Sequence, residues 1–323
     1  MELKKAIESI EKRFGKEAIA GKKVEVEFVS SGSLALDIAL GGGYPMGRIV
    51  EIYGAESSGK TTLALHLCAQ IQKLGKKVGY IDMEQALDPY YAEQLGVTVD
   101  IGEPNSSFIL SQPDDGETAL EIARELARVE EIGCIVIDSV SALVPRAIIQ
   151  GEAGDAKIGL TARLMSAMIP TLLSTIKRSD CIIVFINQIR DKIGVMYGPS
   201  TTTSGGNALK FYASQRLEVA RAGQEKDGEE VIANRTRVKV VKNKVAPPFK
   251  KAEFSIEFGK GIDSFSEVID MAVDFSIIQK SGSWYSYDGS KLGQGIANVK
   301  NIMQDNPELF EQINTKLIET IGL

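Results

Sequence analysis

The sequence is poor in cysteine: three in 323 residues, Cys68, Cys134 and Cys181, with no CxxC pair. Each lies among apolar neighbours at or beside a helix or strand pattern, so buried free thiols are expected rather than a metal site or redox chemistry. No apolar run reaches the roughly 18 to 20 residues that span a bilayer. The opening MELKKAIESIEKRFG carries charge where a secretory signal has an apolar centre. A cytoplasmic protein with no membrane partner is therefore expected. Excess positive charge is missing too: the formal net charge is −6, which argues against a chain that is basic all over. Internal repeats and low-complexity tracts are absent. The remainder is 44% hydrophobic and 25% charged, the balance of a globular chain. Its length suits one large α/β domain with an appendage.

Leu3, Ala6, Ile7, Ile10 and Phe14 recur at helical spacing as far as Gly15. VEVEFV at 24–29 alternates as a strand does, and 33–40 reads as a short helix ending in the turn-rich GGGYPMG. Thereafter apolar strands at 48–53, 77–82, 107–110, 134–138 and 181–187 alternate with helical patterns near 60–74, 89–95, 116–130 and 159–179. That alternation predicts a mostly parallel sheet covered on both faces. Beyond Asn207, SQRLEVA, RTRVKVVK and AEFSIEF read as antiparallel additions to the sheet edge. A small appendage follows, with helical pieces near 264–273, 295–304 and 307–320. The expected division is an arm over 1–30, a core over 31–262 and a small domain over 263–323.

GAESSGKT fits G-x-x-x-x-G-K-[ST], follows a strand and opens a helix. Gly54, Ala55, Glu56, Ser57, Ser58 and Gly59 form a loop whose backbone amides can turn toward phosphates. The helix starting at Lys60 adds its positive end. Lys60 would reach the β- and γ-phosphates of ATP, and the Thr61 hydroxyl would ligate Mg2+. Asp138 ends the apolar strand CIVID, where it can hold the metal's water shell. Glu84 lies just past another strand end and can polarise the attacking water, with Asp82 as its rival. Asn187 and Gln188 end the strand CIIVFINQ, where a neutral amide could bond the γ-phosphate or be an ordinary polar turn residue. Residues 235–251 carry Arg235, Arg237, Lys239, Lys242, Lys244, Lys250 and Lys251 and no acid, which calls for an anionic partner.

GAESSGKTT, YIDMEQALDP, VIDSVSALVP, FINQIR, TTTSGGNALKFYAS and TRVKVVKNK, in this order, resemble the bacterial RecA recombinase family, and the likeness runs nearly the whole chain. The resemblance implies an α/β P-loop NTPase core of RecA type, with an N-terminal helix–strand arm and a small α/β C-terminal domain. It implies a DNA-stimulated ATPase that polymerises as a helical filament on single-stranded DNA. Such a filament pairs that strand with homologous duplex DNA and exchanges strands in recombinational repair. It also implies co-activation of self-cleavage by LexA-like repressors in the DNA-damage (SOS) response.

The same resemblance assigns roles to Lys60, Thr61, Glu84 and Asp138 and makes Gln188 the γ-phosphate sensor. It puts Thr62 and Asp88 at the nucleotide, Tyr91 against adenine and Phe258 in place of a stacking tyrosine. Lys242 and Lys244 would reach ATP held by the neighbouring subunit. Two segments, 151–163 and 189–207, are expected to bind DNA. Arg163, Arg190 and Lys192 would contact phosphates, Ser166, Gly205, Gly206 and Asn207 would donate hydrogen bonds, and Ile158 and Ile193 would wedge between base triplets. Leu3, Ile7, Ile10, Phe14 and Phe211 are expected at the subunit interface. Lys280, Lys291 and Lys300, near Trp284 and Tyr285, are candidates for gathering duplex. Pro170 stands where an arginine is usual, which removes an expected phosphate contact. The sequence ends at Ile321-Gly322-Leu323 without the family's acidic tail, so weaker autoinhibition of duplex binding is expected.

Overall fold

The computed structural model describes residues 2–15, 19, 26–151, 159–191 and 201–322. Elements α1 (Leu3–Phe14), β1 (Phe28–Val29), α2 (Leu34–Leu40) and β2 (Tyr44–Pro45) come first. The chain continues with β3 (Ile49–Gly54), α3 (Lys60–Lys73), β4 (Lys77–Asp82), α4 (Pro89–Gln94), β5 (Phe108–Ser111), α5 (Gly116–Leu126) and β6 (Ile132–Asp138). Then come α6 (Arg146–Gln150), α7 (Leu160–Ser179), β7 (Ile182–Asp191), β8 (Thr201–Thr203) and α8 (Ala208–Tyr212). Long strands β9 (Gln215–Asp227), β10 (Glu230–Asn243) and β11 (Lys251–Glu257) lead to β12 (Gly261–Ile262). The C-terminal part comprises α9 (Ser264–Asp274), β13 (Gln279–Ser281), β14 (Trp284–Tyr287), β15 (Ser290–Gln294), α10 (Ile296–Asp305) and α11 (Pro307–Ile321).

Ten strands form the central sheet, in the order β12-β11-β10-β9-β3-β7-β6-β4-β5, with β8 paired to β7. Apolar residues on both sides of each strand bury two cores. Val50, Ile52, Cys134 and Val136 pack with Leu63, Leu65 and Leu67 of α3 on one face. Ile49, Ile135, Ile137 and Phe185 pack with Leu120 of α5 and Ile169 and Leu172 of α7 on the other. Continuous apolar strands are what a sheet covered twice requires. All three cysteines are buried.

Three features differ from the sequence reading. β9 runs parallel to β3, with Val50 opposite Gln215. Only β10, β11 and β12 extend the edge in antiparallel fashion. The short α8 returns the chain to the same end of the sheet, so β9 enters in β3's direction. The appendage contains a three-stranded sheet, β13-β14-β15, besides its helices; the residue patterns alone gave only the helices, whereas the family resemblance implied an α/β domain, as observed. Its strands are short, polar and rich in glycine turns, which hides their alternation. Of the 24–29 strand, only Phe28 and Val29 pair, against Pro45 and Tyr44; residues 24 and 25 lie outside the described residues. Among the described residues, no helix is long and apolar enough to cross a membrane.

Candidate nucleotide site and its surroundings

The parallel register brings the carboxyl ends of the central strands together. Gly54 of β3 lies beside Gln188 of β7, and Asp82 of β4 beside Asp138 of β6. Gly54 must be glycine, because a Cβ there would stand 2.1 Å from the Val219 carbonyl oxygen. Gly59 has φ +98° and immediately precedes α3, so the loop turns into the helix through a left-handed residue. Lys60 donates from Nζ to the Ala55 carbonyl at 2.6 Å, spanning the curve of the loop. Burial lowers the Lys60 pKa, an effect that Asp138, Glu84 and Glu56 oppose.

Thr61 donates from Oγ1 to Asp138 Oδ2 at 3.0 Å, and Tyr80 donates to the same oxygen at 2.8 Å. Burial raises the Asp138 pKa, while the Tyr80 and Thr61 hydrogen bonds lower it. Asp82 is buried and occupied: its carboxylate accepts from the Ala86 and Leu87 amides and from Gln112 Nε2. It holds the loop that carries Glu84. Glu84 Oε1 accepts from Ser139 Oγ and, at 3.3 Å, from Gln188 Nε2.

A cleft of about 300 Å³ opens from this loop, lined by Ser57 to Thr62 on one side and by Arg221, Asn234, Thr236, Ile256 and Phe258 on the other. Tyr91 lies in its wall, its hydroxyl 2.9 Å from Thr62 Oγ1. Asp88 caps α4 by accepting from the Tyr90 and Tyr91 amides, so in this structure it orients Tyr91. Phe258 is about half exposed at the rim. Two buried polar atoms of the cleft residues, Ser58 Oγ and Asn234 Oδ1, have no hydrogen-bond partner among the described residues. The contribution of β9, β10 and β11 was missed in the sequence, including Arg221, which donates to the Ser57 carbonyl at 3.0 Å. Those residues lie far along the chain and match no motif. Ser139 and Ser141 stood inside the quoted VIDSVSALVP, but only distances single them out.

Lys242 and Lys244 do not line this cleft. Their ammonium groups donate to carbonyls at the end of α8: Lys242 to Lys210 and Phe211 at 2.7 and 2.9 Å, Lys244 to Phe211 at 3.2 Å. Burial, reinforced by Lys244 and Arg216, pushes the Lys242 pKa down to about 8. Phe211 itself is 70% exposed, so two cations and an exposed ring lie close together. The basic run is less free than its sequence suggests: Arg237 and Arg235 approach Glu253 on β11 at 2.6 and 3.8 Å.

Arg163 and Ser166 are exposed on the first turns of α7, where Ser166 Oγ donates to the Ala162 carbonyl at 2.7 Å. Gly205 and Gly206 have φ of +78° and +77°, and a Cβ on either would press on Val140 or Ala162 at 2.8 and 2.7 Å. The Asn207 side-chain oxygen accepts from Lys210, and Arg190 is exposed on β7. Ile158, Lys192 and Ile193 lie outside the described residues. Pro170 sits inside α7, which runs through it for 20 residues. Along α1, Leu3, Ile10 and Phe14 are exposed and Ile7 half-buried, so the apolar stripe has no full cover among the described residues. Lys280 and Lys291 lie over the rings of Tyr285 and Trp284. Lys300 differs from that expectation: it is tied to Glu257 and Asp263 at 2.5 and 2.8 Å, bridging the sheet edge to α9.

The family model described as the RecA N-terminal domain matches residues 1–263, and that of the RecA C-terminal domain matches 266–322. Protein RecA of Levilactobacillus brevis is 56% identical over 99% of this chain and 85% of its own length. Protein RecA of Rhodospirillum rubrum is 54% identical over 99% and 88%, and that of Staphylococcus carnosus 54% identical over 98% and 89%. Among solved structures, the RadB recombinase superposes with a TM-score of 0.54 at 25% identity, covering 73% of this chain and 98% of its own. The chain belongs to the RecA family of recombinases, and it is a DNA-dependent ATP hydrolase.

Proposed function

We propose that the protein polymerises with ATP and Mg2+ on single-stranded DNA and exchanges that strand with a homologous duplex. The observation that carries this reading is the tip of β7. Gln188 donates to Glu84 beside the phosphate loop, while its neighbour Asn187 donates to the Ser204 carbonyl at 3.0 Å and to buried Glu51 at 2.9 Å. One strand end thus touches the candidate base and closes the base of the segment expected to hold DNA.

Ser58 Oγ and Asn234 Oδ1, buried without partners, suit a polar ligand in the cleft. Loop amides and Lys60 would hold the phosphates, with Tyr91 and Phe258 flanking the base. Thr61 and Asp138 present oxygen donors 3.0 Å apart, a set suited to a hard divalent cation. Bound there, Mg2+ would neutralise charge on the β- and γ-phosphates. Glu84 would orient water and take its proton. Lys242 and Lys244, away from their own chain's cleft beside exposed Phe211, would serve the nucleotide of a neighbour. The uncovered stripe of α1 supports a polymer, since an exposed apolar face favours a partner. Arg163, Ser166, Arg190, Gly205, Gly206 and Asn207, with Ile158, Lys192 and Ile193, would form the DNA surface. Co-activation of LexA-like repressors rests on the family likeness alone.

Strand exchange between homologous DNAs, run with ATP for the wild type and Lys60→Ala, tests the reading. Exchange by the wild type and none by the variant is expected. Undiminished exchange by Lys60→Ala would overturn it.

A further inference from the structure

The hydrogen bonds at Glu84 are one-sided. Both converge on Oε1, from Ser139 Oγ and from Gln188 Nε2, and Oε2 has no hydrogen-bond partner among the described residues. Behind Ser139 stands a second hydroxyl, Ser141 Oγ, at 2.6 Å. A carboxylate acting as a base can only accept, and each hydroxyl has one proton to give. The direction of the chain is therefore set: Ser141 donates to Ser139, and Ser139 donates to Glu84. Ser139 is 1% exposed, and its backbone follows Asp138, whose carbonyl accepts from the amides of Met83 and Glu84. The serine pair is thus built into the same strand end that carries the candidate metal ligand.

We propose that the Ser141–Ser139 hydroxyl pair is the positioning element of ATP hydrolysis, pinning Glu84 Oε1 so that Oε2 faces the attacking water, with Gln188 as a second, releasable donor on Oε1. The inference rests on Glu84 being the base. In the step, the water oxygen forms a bond to the γ-phosphorus while the bond to the bridging oxygen breaks. ADP leaves with that electron pair, and the water proton passes to Glu84 Oε2. Ser139 keeps its own proton throughout. Release of Gln188 toward the γ-phosphate would leave the serine pair as the sole anchor of Glu84, which then acquires the freedom to swing only about that anchor.

The test is single- and double-mutant kinetics of DNA-stimulated ATP hydrolysis. Ser139→Ala is expected to lower kcat by about tenfold, short of the roughly 100-fold or larger loss on removing a general base. KM for ATP should stay within about twofold, because a group that acts only in the chemical step leaves ground-state binding alone. Ser139→Thr, which keeps a hydroxyl, should restore most of the rate. Ser141→Ala should show a smaller loss and add nothing to Ser139→Ala, since Ser141 acts only through Ser139. Wild-type kcat in Ser139→Ala beside an inactive Glu84→Gln would overturn this inference and leave the base assignment standing. Full activity in Glu84→Gln would instead overturn the base assignment. Should Ser139→Ala misfold, losses from Ser141→Ala and Gln188→Ala that fail to add in the double variant, with KM unchanged, would support the shared oxygen, and strictly additive losses would refute it. A change confined to KM would refute it.

Discussion

His66 is the chain's single histidine, and it should make the core sensitive to acid in a way one substitution isolates. It lies on α3, the helix that follows the phosphate loop, and its Nε2 accepts from the Ile262 amide at 3.0 Å. Gly261 lets it approach: a Cβ there would stand 2.4 Å from Nε2. Burial, with a contribution from Lys73, pushes its pKa from 6.5 down to about 4. Above the unfolded value both states are neutral and the full contribution is present. As pH falls from 6.5 toward about 4 the unfolded chain takes the proton first, and stability is lost. The full gap corresponds to about 3.4 kcal/mol, of which about 2.5 kcal/mol is lost by about pH 4.5. Asp37 and Glu267, whose carboxyl pKa values burial raises to about 6 and about 7, act in the opposite sense and would mask the effect in the wild type alone. His66→Gln keeps an acceptor for Ile262 but does not titrate, and it shares the other groups. Urea unfolding followed by far-UV circular dichroism, at about pH 7.5 and about pH 4.5, gives the comparison. The stability difference between wild type and variant should move by about 2.5 kcal/mol against the wild type on acidification. A difference that stays constant would refute the argument.

Three further outcomes are expected. In equal mixtures of Lys60→Ala with a Lys242→Ala/Lys244→Ala variant, each inactive alone, about one seam in four joins an intact phosphate loop to intact lysines. Hydrolysis should therefore partly return, and its complete absence would count against a site shared between subunits. Phe185→Ala, at a fully buried position of the central strand β7, should cost about 3–5 kcal/mol in denaturant unfolding; a loss below about 1 kcal/mol would contradict the packing. Glu267 on α9 accepts from Ser33 Oγ and from the Leu34 and Ala35 amides at the start of α2. Glu267→Ala should raise hydrogen exchange at those two amides about tenfold or more, and unchanged protection would show that they are held otherwise.

Much of the fold and of the candidate nucleotide site was legible in the sequence because the information is local. A phosphate loop needs Gly54, Gly59, Lys60 and Thr61 in consecutive register, and the apolar runs ending at Asp138 and Gln188 mark strands buried on both faces. Asp82 against Glu84 was not decidable from spacing. Tertiary structure gives them different surroundings: the amides of Ala86 and Leu87 and the side chain of Gln112 bond Asp82, while Glu84 meets Ser139 and Gln188. The far wall of the cleft came from β9 to β11 for the same reason: a parallel sheet makes neighbours of Gly54 and Val219, and no local pattern records that pairing. Charge behaved likewise. The basic run on β10 meets Glu253 only across strands, and Lys300 is consumed by Glu257 and Asp263. Residue type and spacing determined which chemistry the chain could carry out; the sheet's register decided which side chains remained free to do it.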